Sequence, residues 1–218
     1  MEITRYGQSA LLVQEGPTRV LLDPGELSGD SVFELGELAA VCFTHDHPDH
    51  CAPERVGELL RRNPSAEIAA PEDVLAQLGA VGNRGVRRLV GGEAFAIGTL
   101  SIEAVGSPHA LIHARAPRPL NVGFVISNGR SRLFHPGDSY AAIPSGITVL
   151  ALPVVGPWGS LREAVDFADA VAPKRVLPIH DAHLSESGRA LFWPWIRKFS
   201  RAATEGLDPE HGTPVRVD

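Results

Sequence analysis

The sequence predicts an α/β fold in which mixed sheets pack against helices, and three observations lead to this fold class. Residues 38–43 and 148–154 are nearly continuous apolar runs, as expected of strands that are buried on both faces. Between residues 53 and 78, strand-like and helical patterns alternate, which is typical of βαβ connections. Asn128-Gly129 lies between two strand-like runs and is a strong hairpin signal. Parallel and antiparallel pairing are therefore both expected.

The first elements along the chain are short strands. Residues 2–6, 10–14 and 19–22 are rich in apolar side chains, and Gly16-Pro17 separates the last two runs as a hairpin turn would. Asp23-Pro24-Gly25 ends this meander with strong turn-forming residues. The first of the two buried strands follows and leads directly into a histidine-rich loop.

Two helices are predicted next. Pro53 begins the first helix, because proline is favoured in the first helical turn, and Asn63-Pro64 ends it at residue 62. The apolar residues between these limits have the spacing of one helical face. Residues 67–70 predict a further strand and residues 71–78 a second helix.

The rest of the chain consists mostly of predicted strands. Strand-like runs cover residues 86–90, 94–97, 100–105, 121–126, 131–135 and 175–179. Residues 161–171 have the amphipathic periodicity of a helix. The tail from Glu186 to about Thr204 is predicted to be helical with an interruption at Pro194, because proline cannot donate the helical hydrogen bond. Residues 214–217 predict a last edge strand.

Length and composition indicate one ordinary globular unit. The 218 residues fit a single domain over 1–218, with 44% hydrophobic and 21% charged residues. The net charge of −6 argues against a nucleic-acid partner, because polyanions are bound by clustered basic surfaces. No apolar run is long enough to span a bilayer, and the start lacks a secretory pattern. We expect a cytoplasmic protein with a small-molecule substrate and no membrane partner; assembly into a homo-oligomer stays open.

Histidine and aspartate are concentrated in one short loop. His45, His47 and His50 lie within six residues, and Asp46 and Asp49 lie among them. Imidazole nitrogens and carboxylate oxygens are the ligands that divalent metals such as zinc prefer. In a loop, side chains two positions apart can converge on one ion, and the following pair can reach a second. Metal binding is therefore favoured over a solvated polar loop.

The pattern His45-x-His47-x-Asp49-His50 after a hydrophobic strand resembles the metal-binding run of the metallo-β-lactamase superfamily. The resemblance extends over nearly the whole chain. Leu22-Asp23-Pro24-Gly25 resembles the end of its first strands, Pro136-Gly137-Asp138-Ser139 its bridging-aspartate motif, and Leu177-Pro178-Ile179-His180 a late strand that ends in a ligand. The branch that the chain resembles most contains the ascorbate-6-phosphate lactonase. The resemblance implies an αββα sandwich of two mixed sheets flanked by helices.

The resemblance also implies the ligands of a dinuclear metal centre. They are His45, His47 and His109 for the first ion, Asp49, His50 and His180 for the second, and Asp138 as a bridge. His113 lies four residues after His109 and is an alternative ligand. A hydrogen bond to nearby backbone is the alternative reading for His180, and a bond within its own turn for Asp138. The implied cofactor is a pair of divalent ions, with zinc preferred and manganese or iron as alternatives.

Metal-dependent hydrolysis is the activity that the resemblance implies. Two cations bridged by Asp138 would lower the pKa of a shared water, and the resulting hydroxide would attack a small ester, lactone or phosphoester. Asp49 and Asp138 are the expected catalytic residues, with Asp49 orienting the hydroxide. Asp23 or Asp46 would hold the ligand imidazoles through their other ring nitrogens.

Four residues are candidates for contacts with substrate: Arg115, Arg118, His183 and Trp158. Guanidinium groups suit bidentate contacts with phosphate or carboxylate, so the two arginines suggest an anionic substrate. Solvent-facing arginines on a loop are the alternative. Members of the branch often have Gly-His early in the chain, where this sequence has Gly7-Gln8. An amide cannot transfer a proton, and this difference leaves the substrate open.

Three other functions compete with this interpretation. A phosphodiesterase or nuclease of the same superfamily would use the same metals, although nucleases usually add a domain or a basic surface. A diiron redox enzyme would tend to have glutamate where this chain has His47. A non-catalytic metal-binding or sensor protein could keep every ligand. The two cysteines, Cys42 and Cys51, are expected to be buried rather than to bind metal.

Overall fold

The computed structural model describes residues 1–79, 85–200 and 205–218. Within these residues, the chain forms two seven-stranded sheets, four α-helices and one short 3₁₀ helix. The sheets face each other across a shared apolar core, and the helices cover the two outer sheet faces. This architecture confirms the predicted α/β sandwich with two mixed sheets.

The first sheet contains the N-terminal strands and the last strand of the chain. Its members are β1 (Glu2–Arg5), β2 (Leu11–Glu15), β3 (Thr18–Leu22), β4 (Ala40–Cys42), β5 (Glu67–Ala70), β6 (Gly85–Arg88) and β14 (Pro214–Arg216). Their spatial order is β14-β1-β2-β3-β4-β5-β6. Pairing is antiparallel from β14 to β3 and parallel from β3 to β6, so the sheet is mixed.

The second sheet contains the central strands. Its members are β7 (Ala94–Ile97), β8 (Leu100–Pro108), β9 (Leu120–Ser127), β10 (Arg132–His135), β11 (Val149–Pro153), β12 (Arg175–Ile179) and β13 (Glu205–Gly206). Their spatial order is β13-β12-β11-β10-β9-β8-β7, antiparallel from β7 to β10 and parallel beyond. Asn128 accepts backbone hydrogen bonds from Arg130 and Ser131, and this closes the predicted hairpin between β9 and β10.

The helices follow strands in the way that the alternating pattern predicts. They are α1 (Pro53–Arg62), α2 (Glu72–Leu78), α3 (Leu161–Val171), α4 (Glu186–Phe199) and the 3₁₀ helix Asp30–Glu34. The 3₁₀ helix was not predicted, because five residues are too few to show a helical period. A capping box begins α3: Ser160 accepts from the Glu163 amide, and the Glu163 carboxylate accepts from the Ser160 amide. Within the described ranges, no helix is both long and apolar enough to cross a membrane.

Side chains of successive strand residues enter different layers of the core. In β2, Leu11 and Val13 pack between the two sheets, whereas Leu12 packs in the layer beneath α1. Burying each such side chain contributes roughly 1.5–3 kcal/mol. A slip of one residue would move all three into the wrong layer, so the apolar pattern fixes the register of this strand.

The predicted interruption at Pro194 is wrong, because α4 runs without a break from Glu186 to Phe199. Proline removes one backbone donor from the helix. Its neighbours Trp193 and Ile196 are buried against the second sheet, and this packing outweighs the missing hydrogen bond. The predicted end of the helix near Thr204 lies outside the described residues.

Candidate metal centre

Loops from both sheets bring histidine and aspartate side chains together at one rim of the sandwich. The loop after β4 carries the run His45 to His50, and β8, β10 and β12 are followed by His109, Asp138 and His180. Two groups form: His45, His47, His109 and Asp138 in one, and Asp49, His50 and His180 in the other. Within each group, the potential ligand atoms lie within 4.8 Å of one another. The structure thus brings together all seven residues of the implied ligand set.

Asp138 lies between the two groups. Its Oδ1 atom is 3.0 Å from Nε2 of His50. Its Oδ2 atom is 3.4 Å from Nε2 of His109 and 3.2 Å from Nε2 of His180. The carboxylate therefore faces histidines of both groups, which is the position that a bridging ligand requires.

Three buried atoms in the centre make no well-aligned hydrogen bond within the described chain, although imidazole and carboxylate atoms lie only 3.0–3.4 Å apart: Nε2 of His109, Nε2 of His180 and Oδ1 of Asp138. The other ring nitrogen of each of these two histidines is engaged, since Nδ1 of His109 donates to the Ala110 carbonyl at 2.6 Å and Nδ1 of His180 to the Val155 carbonyl at 2.5 Å. These bonds leave the Nε2 atoms directed into the centre, where a metal ion can bind them. The donor set therefore fits a divalent metal ion.

Asp23 orients one of the candidate ligand histidines by bonding the ring nitrogen that points away from the centre. It is fully buried and accepts hydrogen bonds from the backbone amide of Thr44 at 2.8 Å, from the Thr44 hydroxyl at 2.6 Å and from Nδ1 of His50 at 2.7 Å. The Thr44 hydroxyl in turn lies 2.9 Å from Nδ1 of His45. Of the two aspartates considered for this role, the structure places Asp23 behind the imidazoles, whereas Asp46 is half-buried outside both ligand groups.

Gln8 bonds both Asp49 and the backbone of His180, two members of the second ligand group. From the sequence alone, this residue is only a departure from the branch pattern. Its Nε2 atom donates to Oδ2 of Asp49 at 2.7 Å, and its backbone carbonyl accepts from the amide of His180 at 2.9 Å. Its Oε1 atom also accepts from the Ala182 amide at 3.2 Å. The amide therefore fixes the orientation of Asp49 relative to the loop that carries His180, although it transfers no proton.

The backbone is strained at three positions around the centre. Gln8, Asp23 and His180 have φ values of +44°, +43° and +56°, in the left-handed region that side chains with a Cβ seldom adopt. Gly137, just before Asp138, has φ +62°, and a Cβ atom there would lie 2.2 Å from Oδ1 of Asn121. The surrounding hydrogen bonds hold these conformations in place, which is common at functional sites.

The electrostatics of the centre favour positive charge. Burial alone would lower the pKa of His180, but the carboxylates of Asp138 and Asp49 outweigh burial and raise this pKa to about 9. Burial would likewise lower the pKa of His50, and Asp138 and Asp23 raise it well above its ordinary value. Burial opposes ionisation of Asp138, yet His50 and His180 hold the pKa of that carboxyl well below its usual range. A divalent cation would supply the positive charge that the buried carboxylates of this centre stabilise.

The loop after β8 carries His109, its alternative His113 and the two candidate arginines. His109 lies in the first ligand group, whereas His113 is exposed and accepts from the amide of Arg115 at 3.1 Å. Arg115 is exposed outside the cleft, and Arg118 donates from Nε to the backbone carbonyl of His109 at 2.6 Å. Neither arginine belongs to the lining of the cleft, because Arg115 faces solvent and Arg118 turns back onto its own loop. A contact of either arginine with substrate stays a prediction.

Arg118→Ala should weaken metal binding, because it removes the side chain that holds the backbone of His109. We expect a loss of roughly tenfold in metal affinity, at the lower end of the effect of residues that support metal ligands. Arg115→Ala is the matched control and should leave the affinity unchanged. Competition with a chromogenic chelator measures both variants. Equal affinities for the two would show that the bond from Arg118 does not position His109.

A cleft of about 310 Å³ opens onto the centre, and Trp158 and His183 both line it. Trp158 is mostly buried, and its indole Nε1 donates to Oδ2 of Asp138 at 2.7 Å. Its ring also packs edge to face on Tyr140. His183 is about half exposed and lies 3.9 Å from Oδ2 of Asp49. Trp158 is therefore both a wall of the cleft and a support for the carboxylate between the two groups.

Trp158→Phe should preserve the wall and remove the hydrogen bond to Asp138. We expect metal affinity to fall by roughly tenfold, because the carboxylate loses the donor that fixes its orientation. Trp195→Phe is the matched control, since Trp195 is half exposed on α4 and outside the cleft. Isothermal titration with zinc measures both variants, and an unchanged affinity in Trp158→Phe would contradict the supporting role.

The remaining histidines and the cysteines lie outside both ligand groups. His135 is buried, donates to the Ser9 carbonyl at 2.9 Å and accepts from the Gly137 amide, so it orders the turn that leads to Asp138. His211 is exposed. Both cysteines are buried and free, as expected, and burial raises the pKa of the Cys51 thiol to about 12.

Comparison with known proteins places the chain in a family. The sequence pattern of the beta-lactamase superfamily domain matches residues 2–180. Protein Rv0786c of Mycobacterium tuberculosis is 39% identical over 213 residues, which cover 96% of this chain and 98% of the relative. A UPF0173 metal-dependent hydrolase of Caldivirga maquilingensis is 28% identical over 194 residues, which cover 80% of this chain and 79% of the relative.

A solved structure shares the architecture. A crystal structure from Parabacteroides distasonis superposes with a TM-score of 0.76 and 21% identity, over 96% of this chain and 92% of that chain. At this identity, the likeness concerns the fold. The domain pattern covers most of the sequence and includes every residue of the two ligand groups. The chain therefore belongs to the metallo-β-lactamase superfamily.

Proposed function

We propose that this chain is a metal-dependent hydrolase that holds two divalent cations and cleaves a small ester or lactone. The observation that carries the proposal is the set of buried candidate ligand atoms at His109, His180 and Asp138 that converge on one place without a well-aligned hydrogen bond. An unsatisfied buried polar atom costs roughly 1–3 kcal/mol, so three of them in one place indicate a site built for a bound ion. The relative from Caldivirga maquilingensis, named a metal-dependent hydrolase, supports the same activity.

Two ions, rather than one, are supported by the division of the ligands. Each group offers at least three donors, and the carboxylate of Asp138 faces histidines of both. Mixed histidine and aspartate donors suit zinc best, and manganese or iron can occupy such a site. Zinc is therefore the first metal to test.

A divalent cation bound here supplies Lewis acidity and lowers the pKa of a water molecule towards neutrality. The residues of the chain position the reactants. Asp49 lines the cleft, and its carboxylate can accept a hydrogen bond from the attacking water and direct the water oxygen towards the acyl carbon. Gln8 keeps one oxygen of that carboxylate in place. His183 lines the same cleft and can give a proton to the leaving oxygen as the acyl C–O bond breaks.

Removing and restoring the metal tests the proposal. Hydrolysis of a panel of small esters and lactones should fall to background after treatment with a chelator, because none of the described residues that line the cleft can replace the Lewis acid. The resemblance to the lactonase-like branch favours including lactones in this panel. Activity should return when zinc, manganese or iron(II) is added, and elemental analysis of the active sample should find about two ions per chain.

The same panel distinguishes the competing functions. An aryl phosphodiester is included, and a clear preference for it over every ester and lactone would favour a phosphodiesterase. Full metal occupancy without turnover of any ester, lactone or phosphodiester would contradict a hydrolase and favour a metal-binding or sensor protein. Activity that survives complete removal of metal would contradict the proposed chemistry.

A further inference from the structure

The cleft that leads to the candidate metal centre has hydrocarbon walls. Beside the ligands, its lining includes Leu27, Pro48, Ile112, Pro157 and Trp158. Leu27 is 43% exposed and Ile112 is 38% exposed, so both large apolar side chains present hydrocarbon to the solvent in the cleft. Apolar walls with a few convergent polar groups are typical of sites for small molecules. The walls therefore suit the apolar part of a substrate.

Apart from its histidines, the ionisable side chains that line this cleft are carboxylates. Glu26 lies in the lining and is exposed. Within the part of the chain that the structure describes, no arginine or lysine lines the cleft. Arg118 donates to a backbone carbonyl, and Arg115 is exposed elsewhere on the same loop. Outside the ligand groups, the lining also includes His183, which lies beside Asp49.

We propose that the site takes a neutral substrate with a short apolar acyl group and discriminates against an acyl group that ends in a carboxylate or phosphate. This inference rests on the proposed function, because it describes what reaches the metal centre. Hydrocarbon that contacts Leu27, Ile112 and Trp158 leaves water. An anion in the same place loses hydration and meets Glu26 instead of a guanidinium group. The volume of about 310 Å³ is at the lower end for small-molecule sites, which favours a small acyl group.

Hydroxamates test this inference by binding, without requiring turnover, because the hydroxamate group chelates zinc. The matched pair is 5-methylhexanohydroxamate and glutarate monohydroxamate, which have the same length and end in an isopropyl group and a carboxylate. Isothermal titration with the zinc-loaded protein gives both affinities. We expect the neutral compound to bind at least about tenfold more tightly, because each buried methyl-sized group contributes roughly fourfold.

A charge-reversed variant provides the second arm of the experiment. Glu26→Lys should reduce the preference for the neutral hydroxamate by at least about fivefold, since it places a cation where the carboxylate would lie. Glu58→Lys is the matched control, because Glu58 is exposed on α1 and outside the cleft. It changes the net charge equally, and the preference should stay within about twofold of the wild-type value.

Three results would overturn the inference. They are equal or tighter binding of glutarate monohydroxamate to the wild type, an unchanged preference in Glu26→Lys, and an absence of binding by both compounds. The last would show that the cleft does not lead to the metal. Failure of the proposed function looks different: a zinc-loaded protein that prefers the neutral hydroxamate but hydrolyses no ester contradicts the hydrolase and leaves the preference of the cleft standing.

Discussion

Asp138→Ala is expected to abolish hydrolysis and to lower the metal content of the purified protein. The carboxylate is 2% exposed, and its two oxygens lie 3.0 Å from Nε2 of His50 and 3.2 Å from Nε2 of His180. Residues that merely support metal ligands are worth roughly 10–100-fold in metal affinity or activity. Removing a carboxylate that would bind both ions should therefore reduce kcat/KM by at least about 100-fold.

Asp46→Ala is the control for this substitution. Asp46 belongs to the same histidine-rich loop but lies outside both ligand groups. Elemental analysis and kcat/KM for an ester should be measured on both variants, with circular dichroism as a check of the fold. Asp138→Asn removes the charge with little change of volume and should show the same loss. Retention of wild-type metal content and activity in either Asp138 variant would refute the bridging role.

Asp23→Ala is expected to weaken both the fold and the metal centre. Asp23 is fully buried, and its removal leaves the amide and hydroxyl of Thr44 and Nδ1 of His50 without their acceptor. Removing one partner from a buried charged network typically costs about 3–5 kcal/mol in the free energy of unfolding. Metal affinity should also fall by roughly 10–100-fold, because the imidazole of His50 is no longer oriented.

Urea denaturation and zinc titration separate the two effects of this substitution. Asp23→Asn keeps the shape and one carbonyl acceptor, so it should fold more stably than Asp23→Ala while still binding zinc less tightly than the wild type. This variant keeps the test informative if the alanine variant fails to fold. A wild-type affinity for zinc in Asp23→Asn would show that the carboxylate acts on the fold alone.

The candidate ligands in the loop after β4 could be predicted because they are close together in the sequence. The three histidines and Asp49 lie between positions 45 and 50, so they must be near one another in any conformation of that loop. His109, Asp138 and His180 follow separate strands, and spacing alone could not bring them together. Family resemblance supplied them, and the common rim of the two sheets explains why their side chains meet.

Supporting residues were harder to predict, because their roles depend on the direction of a side chain. Gln8 acts on Asp49 across a distance of 41 residues in the sequence, through a loop crossing that no local pattern shows. The position of Arg118 in the sequence predicts a guanidinium group near the site. It does not predict that this group turns back and donates to a backbone carbonyl. Trp158 is predicted from the sequence as a wall of the site, but its hydrogen bond to Asp138 depends on the three-dimensional arrangement of two loops.

The continuity of α4 through Pro194 shows the limit of local rules in the fold as well. Proline disfavours the interior of a helix by about 3 kcal/mol. The burial of Trp193 and Ile196 on either side contributes a comparable amount. Whether the cost of proline or the gain from burial is larger depends on the residues against which the helix packs. The sequence pattern does not identify these residues.

Anomalous diffraction at the zinc absorption edge, from crystals of the zinc-loaded protein, is the decisive test of the proposed two-metal centre. Two anomalous peaks are expected, one on either side of the Asp138 carboxylate. One peak should be bounded by His45, His47 and His109, and the other by Asp49, His50 and His180. A map without a peak at this rim, or with zinc bound only elsewhere on the protein, would contradict the proposed centre.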